Sequence, residues 1–548
     1  MVKHTFFLTT WYVILLLSCR VGSEYSPTDT PVDGGEDPAI TEKYTRSIDI
    51  YDPTTWGPLN VHDPELFQDD DGTFYVFSTD ASIGNTWQGG VQVRRSKDLV
   101  HWECLPEPAL GMWDEEMKEW LGFSSDAEAY TWAPSVVKLN GRYYMYHGVI
   151  VDVPDNDNRP RAWIGLAIAD TPIGPYLPAD EYDPSTYSCS TVVRYTFTRT
   201  PGTIDEDCLN ESGGDWSKGF GAIDPEVVFD VEGHMWLTYG SWKGGIAILE
   251  LDPTTGMPID GYPADTIENG YGTLIAGGNG IAIEGACIFQ YGEYYYLFYS
   301  LGDLLYDYSI RVGRRPISEG IVGPYYDSEG RDLTTLTWEE SHRYGNKILG
   351  AHQFECQYGW RNPGGQSLLI TQDGRILMAH HTRTTFRESW YFYLQVRQIY
   401  FTEDGWPVAN PNEYAGETLR EMNPTEFAGT YKVIHTKRGT SWGFVSTYEG
   451  TQSSDEVNLE DAIETVSENV TFHPEGTISG AYQGTWSISN HYHITIQLED
   501  NQGTLLGTYK GIVSDALDWS RIGDVERHTL TFTAFCPETG EYFFGNKE

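Results

Sequence analysis

The sequence NVHDPELFQDDDGTFYVFS, from Asn60 to Ser78, contains the pattern that recurs through most of the chain. Two runs of strand-forming residues flank the Gly-bearing turn DDDG, which is the pattern of a β-hairpin. An acid, Asp63, stands at the head of the first run, although a charged group at the start of a buried strand is costly. The rest of the chain shows whether this acid is isolated or belongs to a pattern.

Four further stretches repeat this hairpin. They are TWAPSVVKLNGRYYMYHG, AIDPEVVFDVEGHMWLTYGSW, IEGACIFQYGEYYYLFYS and the weaker GGQSLLITQDGRILMAHHTR. Aligning the first strands places five residues at about equivalent positions: Asp63, Ala133, Asp224, Glu284 and Gly365. Repeats roughly 60 to 90 residues apart suit four-stranded propeller blades with long loops. We predict an all-β chain with a five-bladed β-propeller over residues 47–420; an open sandwich with coincidental hairpins is the alternative.

The hairpin repeat stops near Pro424. Short alternating segments such as YKVIHT, HYHITIQLED and HTLTFTAF then follow. They predict a small antiparallel β-sandwich or barrel over residues 425–548. This domain carries no comparable group of acids, so we interpret it as an accessory domain.

The N-terminus has the pattern of an export signal. MVKH is followed by the apolar run TFFLTTWYVILLL, which is too short for a membrane span and ends at Cys19. LLSC resembles a bacterial lipobox, in which this cysteine carries the lipid; an ordinarily cleaved signal is the alternative. Residues 20–46 are rich in Pro, Thr, Asp and Gly and predict a flexible tether. We therefore expect an exported lipoprotein at the cell envelope or cell surface, attached to the membrane only by this anchor.

Two cysteines, Cys189 and Cys208, lie in one polar insertion and could close a loop in an oxidising compartment. Apart from Cys19, the others lack CxxC spacing, which argues against a zinc site.

The charge balance restricts the partners. The chain has 35 basic and 80 acidic residues, a formal net charge of −45. Such a field repels nucleic-acid phosphates, anionic lipid and uronic-acid polymers, but it leaves neutral glycans unaffected. The 18 Trp and 37 Tyr residues suit both sheet packing and the C–H faces of sugars. A neutral polysaccharide is the partner that fits best.

Three of the five equivalent positions are acidic. The first strand of each blade lines the central axis, so Asp63, Asp224 and Glu284 would meet at one mouth of the channel. Glycoside hydrolysis uses a protonated acid and a charged base or nucleophile. A third carboxylate near the acid would raise its pKa and keep it protonated. Asp63, Asp224 and Glu284 thus fit base, modulator and acid.

These motifs together resemble glycoside hydrolase family 43. The resemblance rests on HDPE at Asp63, WAPS at Trp132, AIDPE and YGSW around Asp224, the Glu284 segment and DGWPV at Asp404. It is closest to the two-domain endo-arabinanases, and FAGTYKVIH and GTISGAYQGTWSI are similar to their C-terminal β-domain.

The resemblance implies Asp63 as general base, Asp224 as pKa modulator and orienting residue, and Glu284 as general acid of an inverting hydrolysis. It implies no cofactor for the chemistry. Trp132 and Trp242 stand beside first-strand motifs and are candidate sugar platforms.

One departure concerns a metal. Arabinanases of this type carry a His in a PGHNS-like segment that holds calcium near the channel, whereas this chain has PGGQS from Pro363 to Ser367. The usual ligand is thus not matched, and the metal ligands stay unknown. His352 is a candidate substitute, although a single His is more often a packing residue. DVPDNDN, over residues 152–158, has spaced oxygen ligands but lacks the Gly and Glu of a known calcium loop.

Three functions remain open. The first is an extracellular endo-arabinanase that cleaves α-1,5-L-arabinan, a neutral plant cell-wall polysaccharide. The second is an exo-acting β-xylosidase or α-L-arabinofuranosidase, for which arabinoxylan is a further substrate and the insertion Tyr182–Trp216 could close one end of the groove. The third is a non-catalytic surface glycan-binding propeller, which would have no need of carboxyls with different pKa values.

Overall fold

A computed structural model describes most of the chain. It covers Asp49 and residues 51–79, 81–83, 86–111, 128–152, 161–194, 220–242, 244–259, 272–278, 280–304, 308–337, 340–355, 359–384, 392–438, 466–518 and 528–548. The export signal, Cys19, the tether and Cys208 lie outside these residues, as do residues 153–160 and 195–219. In the described part, no helix has the length and apolar character needed to cross a membrane.

Five antiparallel sheets follow one another along the chain, and each contains one of the predicted hairpins. The first blade has β1 (Glu65–Gln68), β2 (Phe74–Ser78), β5 (Gln92–Ser96) and β6 (Glu103–Cys104), with β3 (Ala81–Ile83) and β4 (Thr86–Gln88) paired separately. The second has β7 (Glu128–Leu139), β8 (Arg142–Asp152), β9 (Arg161–Ala169), β10 (Leu177–Pro178) and β11 (Thr191–Arg194). The third has β12 (Glu226–Phe229), β13 (Met235–Tyr239), β14 (Ile246–Leu251) and β15 (Thr273–Ala276).

The last two blades follow the same order. The fourth has β16 (Ile283–Tyr291), β17 (Tyr294–Leu301), β18 (Ser309–Pro316) and β19 (Asn346–Leu349). The fifth has β20 (His352–Gln353), β21 (Gly359–Ile370), β22 (Ile376–Thr384), β23 (Phe392–Phe401) and β24 (Pro407–Ala409). Short helices complete the described chain: α1 (Ala179–Tyr182), α2 (Pro424–Phe427) and four 3-10 turns at Pro53–Thr55, Ile317–Glu319, Leu333–Thr335 and Ser341–Arg343. The prediction of a five-bladed propeller is confirmed.

Apolar side chains fill the spaces between neighbouring blades. Phe77 and Val93 of the first blade pack with Met145 of the second. The ring closes where Leu66 of the first blade packs with Leu377 of the fifth. Burial of β-branched and aromatic side chains between sheets explains why these segments form strands.

In each blade, a residue with left-handed backbone lies just before the first strand of the hairpin or within it. The φ values are 46° at Asp63, 40° at Ala133, 54° at Asp224, 59° at Gly285 and 54° at Gly365. The sequence alignment is therefore wrong by one residue in the fourth blade, where Gly285 and not Glu284 takes this position. A glycine is the least costly residue at positive φ, and its presence in this blade shifts the acid to the preceding residue.

The C-terminal strands form a closed barrel, which decides between the predicted sandwich and barrel. Eight strands pair in chain order, and the last returns to the first. They are β25 (Gly429–Thr436), β26 (Glu468–Phe472), β27 (Thr477–Gly480), β28 (Gln483–Ser489), β29 (His493–Glu499), β30 (Leu505–Leu517), β31 (His528–Cys536) and β32 (Glu541–Lys547). Aromatic residues including Phe427, Phe472, Trp486 and Phe532 fill its interior.

The barrel packs against the propeller. Phe535 and Phe544 of the barrel share one apolar cluster with Phe298 and Trp406 of the propeller. Beside this cluster, the buried Arg438 pairs with Asp327 of the fourth-blade segment at 2.6 Å.

Candidate active site

Asp63 stands at the start of the first blade within a dense hydrogen-bond network. The Thr79 hydroxyl donates to its Oδ2 at 2.8 Å, and His62 Nδ1 lies 2.8 Å from the same oxygen. The Asp63 backbone N–H donates to Nδ1 of His381, at 3.1 Å. Burial acts to raise the pKa of Asp63, but the charge and hydrogen bond of His62, together with the adjacent His381 imidazole, outweigh it and lower that pKa. Asp63 is therefore ionised, as a general base must be.

Glu284 is buried in the fourth blade and accepts one hydrogen bond on each carboxyl oxygen. Tyr308 donates to Oε1 at 2.8 Å, and Ser241 donates to Oε2 at 2.6 Å. Burial raises the pKa of Glu284, and the negative charge of Asp63 adds to this effect, whereas the Ser241 and Tyr308 hydrogen bonds oppose it. The pKa stays above its ordinary value, which is the direction required of a general acid.

Asp224 is partly buried in the third blade and faces both other acids. Its Oδ2 accepts the Gly285 N–H at 3.2 Å, so it contacts the residue next to Glu284. Burial and the charges of Glu284 and Asp63 raise its pKa well above the ordinary value. Asp224 therefore takes up a proton more readily than an ordinary aspartate, because its own burial and the two neighbouring carboxylates disfavour its charged form. The structure thus brings together the three acids predicted from sequence.

Three parallel rings lie between the base and the acid. The rings of His62 and His381 are stacked at 4.3 Å, and those of His381 and Tyr308 are stacked at 5.8 Å. Burial lowers the pKa of His381 to about 3, so this imidazole is neutral. Sequence reasoning missed His381 and Tyr308. The one available signal was the polar run HHTR inside an otherwise apolar strand.

The fifth blade supports the site through its backbone and one amide. Gln366 Nε2 donates to the Gly285 carbonyl oxygen at 2.6 Å, and Ser300 Oγ accepts the Gly365 N–H at 3.0 Å. A Cβ atom at Gly365 would lie 2.5 Å from Asp63 Oδ1 and 2.8 Å from His381 Nδ1. The second glycine of PGGQS therefore leaves the space that Asp63 and His381 occupy.

Five side chains, one from each blade, form a circle around the propeller axis, each two residues after the left-handed residue of its blade. Its members are Glu65, Ser135, Glu226, Cys287 and Ser367. The Ser367 hydroxyl oxygen accepts a hydrogen bond from the Leu66 N–H at 2.7 Å, which joins the fifth blade to the first. Glu65 Oε1 accepts one from the Val136 N–H at 3.2 Å, between the first and second blades. The Ser135 hydroxyl oxygen accepts one from the Val227 N–H at 3.2 Å, between the second and third blades. Each bond thus joins one blade to the next, and the circle closes between the fifth and first blades.

Glu65 and Glu226 of this circle share a hydrogen bond. Burial raises the pKa of Glu226 to about 7, and burial together with the charge of Glu226 raises that of Glu65. The pair is therefore protonated on at least one oxygen near neutral pH. Sequence reasoning assigned these two acids no role, because the motifs HDPE and DPE place the better-known acids beside them.

His62, Asp63 and His381 form the one cluster of potential metal ligands in the described part of the chain, with ligand atoms within 4.8 Å of one another. Ca²⁺ prefers six to eight oxygen ligands, and this set offers a single carboxylate. His381 Nδ1 is already occupied by the Asp63 N–H. These side chains by themselves do not fit calcium, and we derive no step through a metal.

The candidate ligand His352 lies elsewhere. Its Nδ1 is 2.9 Å from the Gly350 carbonyl oxygen, and its ring packs against Phe354 and Phe544 at the boundary with the barrel. Burial lowers its pKa to about 4, which describes a neutral packing residue.

The two candidate platforms flank the site. Trp242 directly follows Ser241, and its backbone N–H donates to the Ile283 carbonyl oxygen at 2.9 Å. Trp132 directly precedes Ala133, whose N–H donates to the Thr79 hydroxyl at 2.9 Å. Both indoles are partly buried. Their role in binding sugar stays a prediction.

Comparison with known proteins agrees with this geometry. The model of glycosyl hydrolases family 43 matches residues 55–185 and 213–407, and the model of its C-terminal lipocalin-like domain matches residues 411–545. The extracellular endo-alpha-(1->5)-L-arabinanase of Thermotoga petrophila is 32% identical over 478 residues, which are 83% of this chain and 87% of that protein. Extracellular endo-alpha-(1->5)-L-arabinanase 2 of Bacillus subtilis is 30% identical over 515 residues, 89% of this chain and 93% of that protein.

A solved structure extends the similarity over both domains. The crystal structure of the endo-1,5-alpha-L-arabinanase from Thermotoga petrophila matches with a TM-score of 0.70 and 30% identity, covering 90% of this chain and 99% of that chain. Together with these similarities, the five-bladed propeller and its buried carboxyls of differing pKa place the chain among the glycosidases, which act on O-glycosyl bonds. The chain belongs to glycosyl hydrolases family 43.

Proposed function

We propose that this glycosidase cleaves α-1,5-L-arabinan internally, with inversion at the anomeric carbon. The observation that carries the proposal is the pairing of an ionised Asp63 with a Glu284 whose pKa is raised, at the start of two blades of one propeller. The arabinanase relatives that span both domains support the choice of sugar.

In this mechanism Asp63 takes a proton from a water molecule as that water attacks the anomeric carbon. Glu284 gives its proton to the leaving glycosidic oxygen, so the C–O bond breaks as the new bond forms. Asp224 acts on the Glu284 carboxyl through its charge, as pKa modulator, and orients it by accepting the N–H of the adjacent Gly285. Side chains supply all of these steps, so we propose no required cofactor.

The exported state is part of the proposal. The N-terminal pattern and the relatives named extracellular support export. A lipid on Cys19 follows from LLSC alone. Labelling cells with radioactive palmitate tests it: label on the parent protein and none on Cys19→Ser supports the anchor, whereas an unlabelled parent contradicts it.

The test of the activity is chromatography of the products released from linear arabinan and, separately, from xylan. A ladder of arabinose oligomers at early times supports internal cleavage. Arabinose monomer alone favours the exo-acting alternative, and activity confined to xylan or aryl xylosides contradicts the choice of sugar. Binding of arabinan without any release of product would favour the non-catalytic alternative.

A further inference from the structure

Two neutral donors hold the Glu284 carboxyl from opposite sides. Tyr308 and Ser241 are both buried, with 3% and 8% of their surface exposed. They come from different blades: Ser241 follows the second strand of the third blade, whereas Tyr308 immediately precedes the third strand of the fourth. Ser241 lies in the YGSW segment and Tyr308 outside every quoted motif, and the sequence assigned neither residue a role. Each contacts a different oxygen of Glu284, so together they fix both the position and the rotation of the carboxyl group.

The two hydrogen bonds also affect the proton on Glu284. Burial raises the pKa of Tyr308 well above its ordinary value, so its hydroxyl remains a donor throughout the pH range of the reaction. A donor aimed at a carboxyl oxygen favours the ionised form. The charged or titratable groups facing Glu284 are Asp63 and His62 from the first blade and Asp224 from the third. Ser241 and Tyr308 thus limit how far burial and the neighbouring acids raise the pKa of Glu284.

Tyr308 has a second contact that leads to the base. Its ring stacks on His381 with an interplanar angle of 8°, and His381 stacks on His62 with an angle of 11°. His381 accepts the Asp63 backbone N–H, and His62 contacts the Asp63 carboxylate. One tyrosine therefore contacts the acid through its hydroxyl and supports, through its ring, the imidazole that holds the base.

We propose that Tyr308 and Ser241 are positioning residues for Glu284, and that the Tyr308 ring also maintains the distance between acid and base through His381. The inference rests on the proposed function, because it takes Glu284 as the general acid and Asp63 as the general base. On this view, both residues set the position and the pKa of the Glu284 carboxyl and do not bind the sugar.

The first test is the pH dependence of kcat/KM on linear arabinan for Tyr308→Phe and Ser241→Ala. The basic limb reports loss of the proton from the acid. Because each variant removes one donor to the ionised form, we expect this limb to move to higher pH by about one unit. Tyr325→Phe is the matched control, since that buried hydroxyl donates only to a backbone oxygen, of Ile321, at 2.7 Å. Basic limbs that stay at the parent position in both variants would overturn the inference.

The second test separates the ring from the hydroxyl. Tyr308→Phe keeps the stack on His381, whereas Tyr308→Leu removes it. We expect a lower kcat in Tyr308→Leu than in Tyr308→Phe, with KM unchanged in both and the same displacement of the basic limb. Equal kcat values would contradict the role of the ring.

Glu284→Gln, measured beside these variants, distinguishes a failure of the proposed function from a failure of the positioning role alone. If Glu284→Gln retains parental activity, the proposed function itself fails. If Glu284→Gln is inactive while the limbs of Tyr308→Phe and Ser241→Ala do not move, only the positioning role is wrong.

Discussion

Replacing Gly365 with alanine should damage catalysis far more than stability. The new Cβ would lie 2.5 Å from Asp63 Oδ1, whereas ordinary van der Waals contact begins at 3.4 Å. The carboxylate must therefore recede by about 0.9 Å, and displacements of about 1 Å at reacting groups can cost about a hundredfold in rate. His381 Nδ1, at 2.8 Å from the same Cβ, limits movement in the other direction. We expect kcat on linear arabinan to fall about a hundredfold.

The control is Gly374→Ala in the hairpin turn of the same blade. Gly374 also has a positive φ, of 86°, but a Cβ there meets nothing within 4 Å. Both variants have the backbone strain of about 1–2 kcal/mol, and only Gly365→Ala displaces the base. Reducing-sugar assays give kcat, and thermal unfolding gives the stability of each variant. Equal kcat values for the two variants, at equal thermal midpoints, would show that the Cβ at residue 365 does not displace Asp63.

Three further predictions concern charge. The pKa of Glu226 rises from 4.5 to about 7 on folding, so the folded state retains a proton that the unfolded chain loses, and stability falls by up to about 3 kcal/mol as pH rises through this window. From about pH 5 to about pH 8, the thermal midpoint of Glu226→Gln should therefore fall by less than that of the parent protein. Glu293→Gln, at an exposed position, serves as the control. A fall in Glu226→Gln equal to that of the parent would contradict the raised pKa of Glu226. Asp63→Asn should lower kcat by about 10²- to 10⁴-fold yet keep arabinan binding in affinity electrophoresis; simultaneous loss of binding would point to misfolding. Arg438→Met removes the 2.6 Å partner of buried Asp327, which keeps Arg331 at 3.5 Å, and should destabilise the domain boundary by about 1–3 kcal/mol, seen as a lower calorimetric midpoint; an unchanged midpoint would show that the apolar contacts suffice.

Much of the fold could be predicted because one hairpin pattern recurs five times. The strands and turns are local features, and the spacing of the repeats sets the number of blades. The position of Glu284 within its blade could not be read with the same precision. A glycine follows it, so the left-handed residue falls one place later than in the blades that begin with Asp63 and Asp224.

The three acids were predictable because Asp63 and Asp224 stand at the repeated position and Glu284 stands next to it, whereas the residues that support these acids were not predictable. His381 reaches Asp63 across 318 residues of sequence, and Tyr308 reaches Glu284 from a loop that shares no motif with the hairpins. Such contacts depend on closure of the ring, which no local pattern encodes. The same holds for the bonds between blades made by Ser135 and Ser367.

The anomeric configuration of the first product distinguishes direct attack by a water that Asp63 activates from a covalent mechanism. Proton NMR during early hydrolysis of linear α-1,5-arabinan shows which anomer forms before mutarotation. A water activated by Asp63 on the face opposite the leaving group must give the β-anomer. Asp63→Asn should form this anomer far more slowly than the parent protein. An α-anomer as the first product would mean retention through a covalent intermediate, and it would contradict the assignment of Asp63 as a general base.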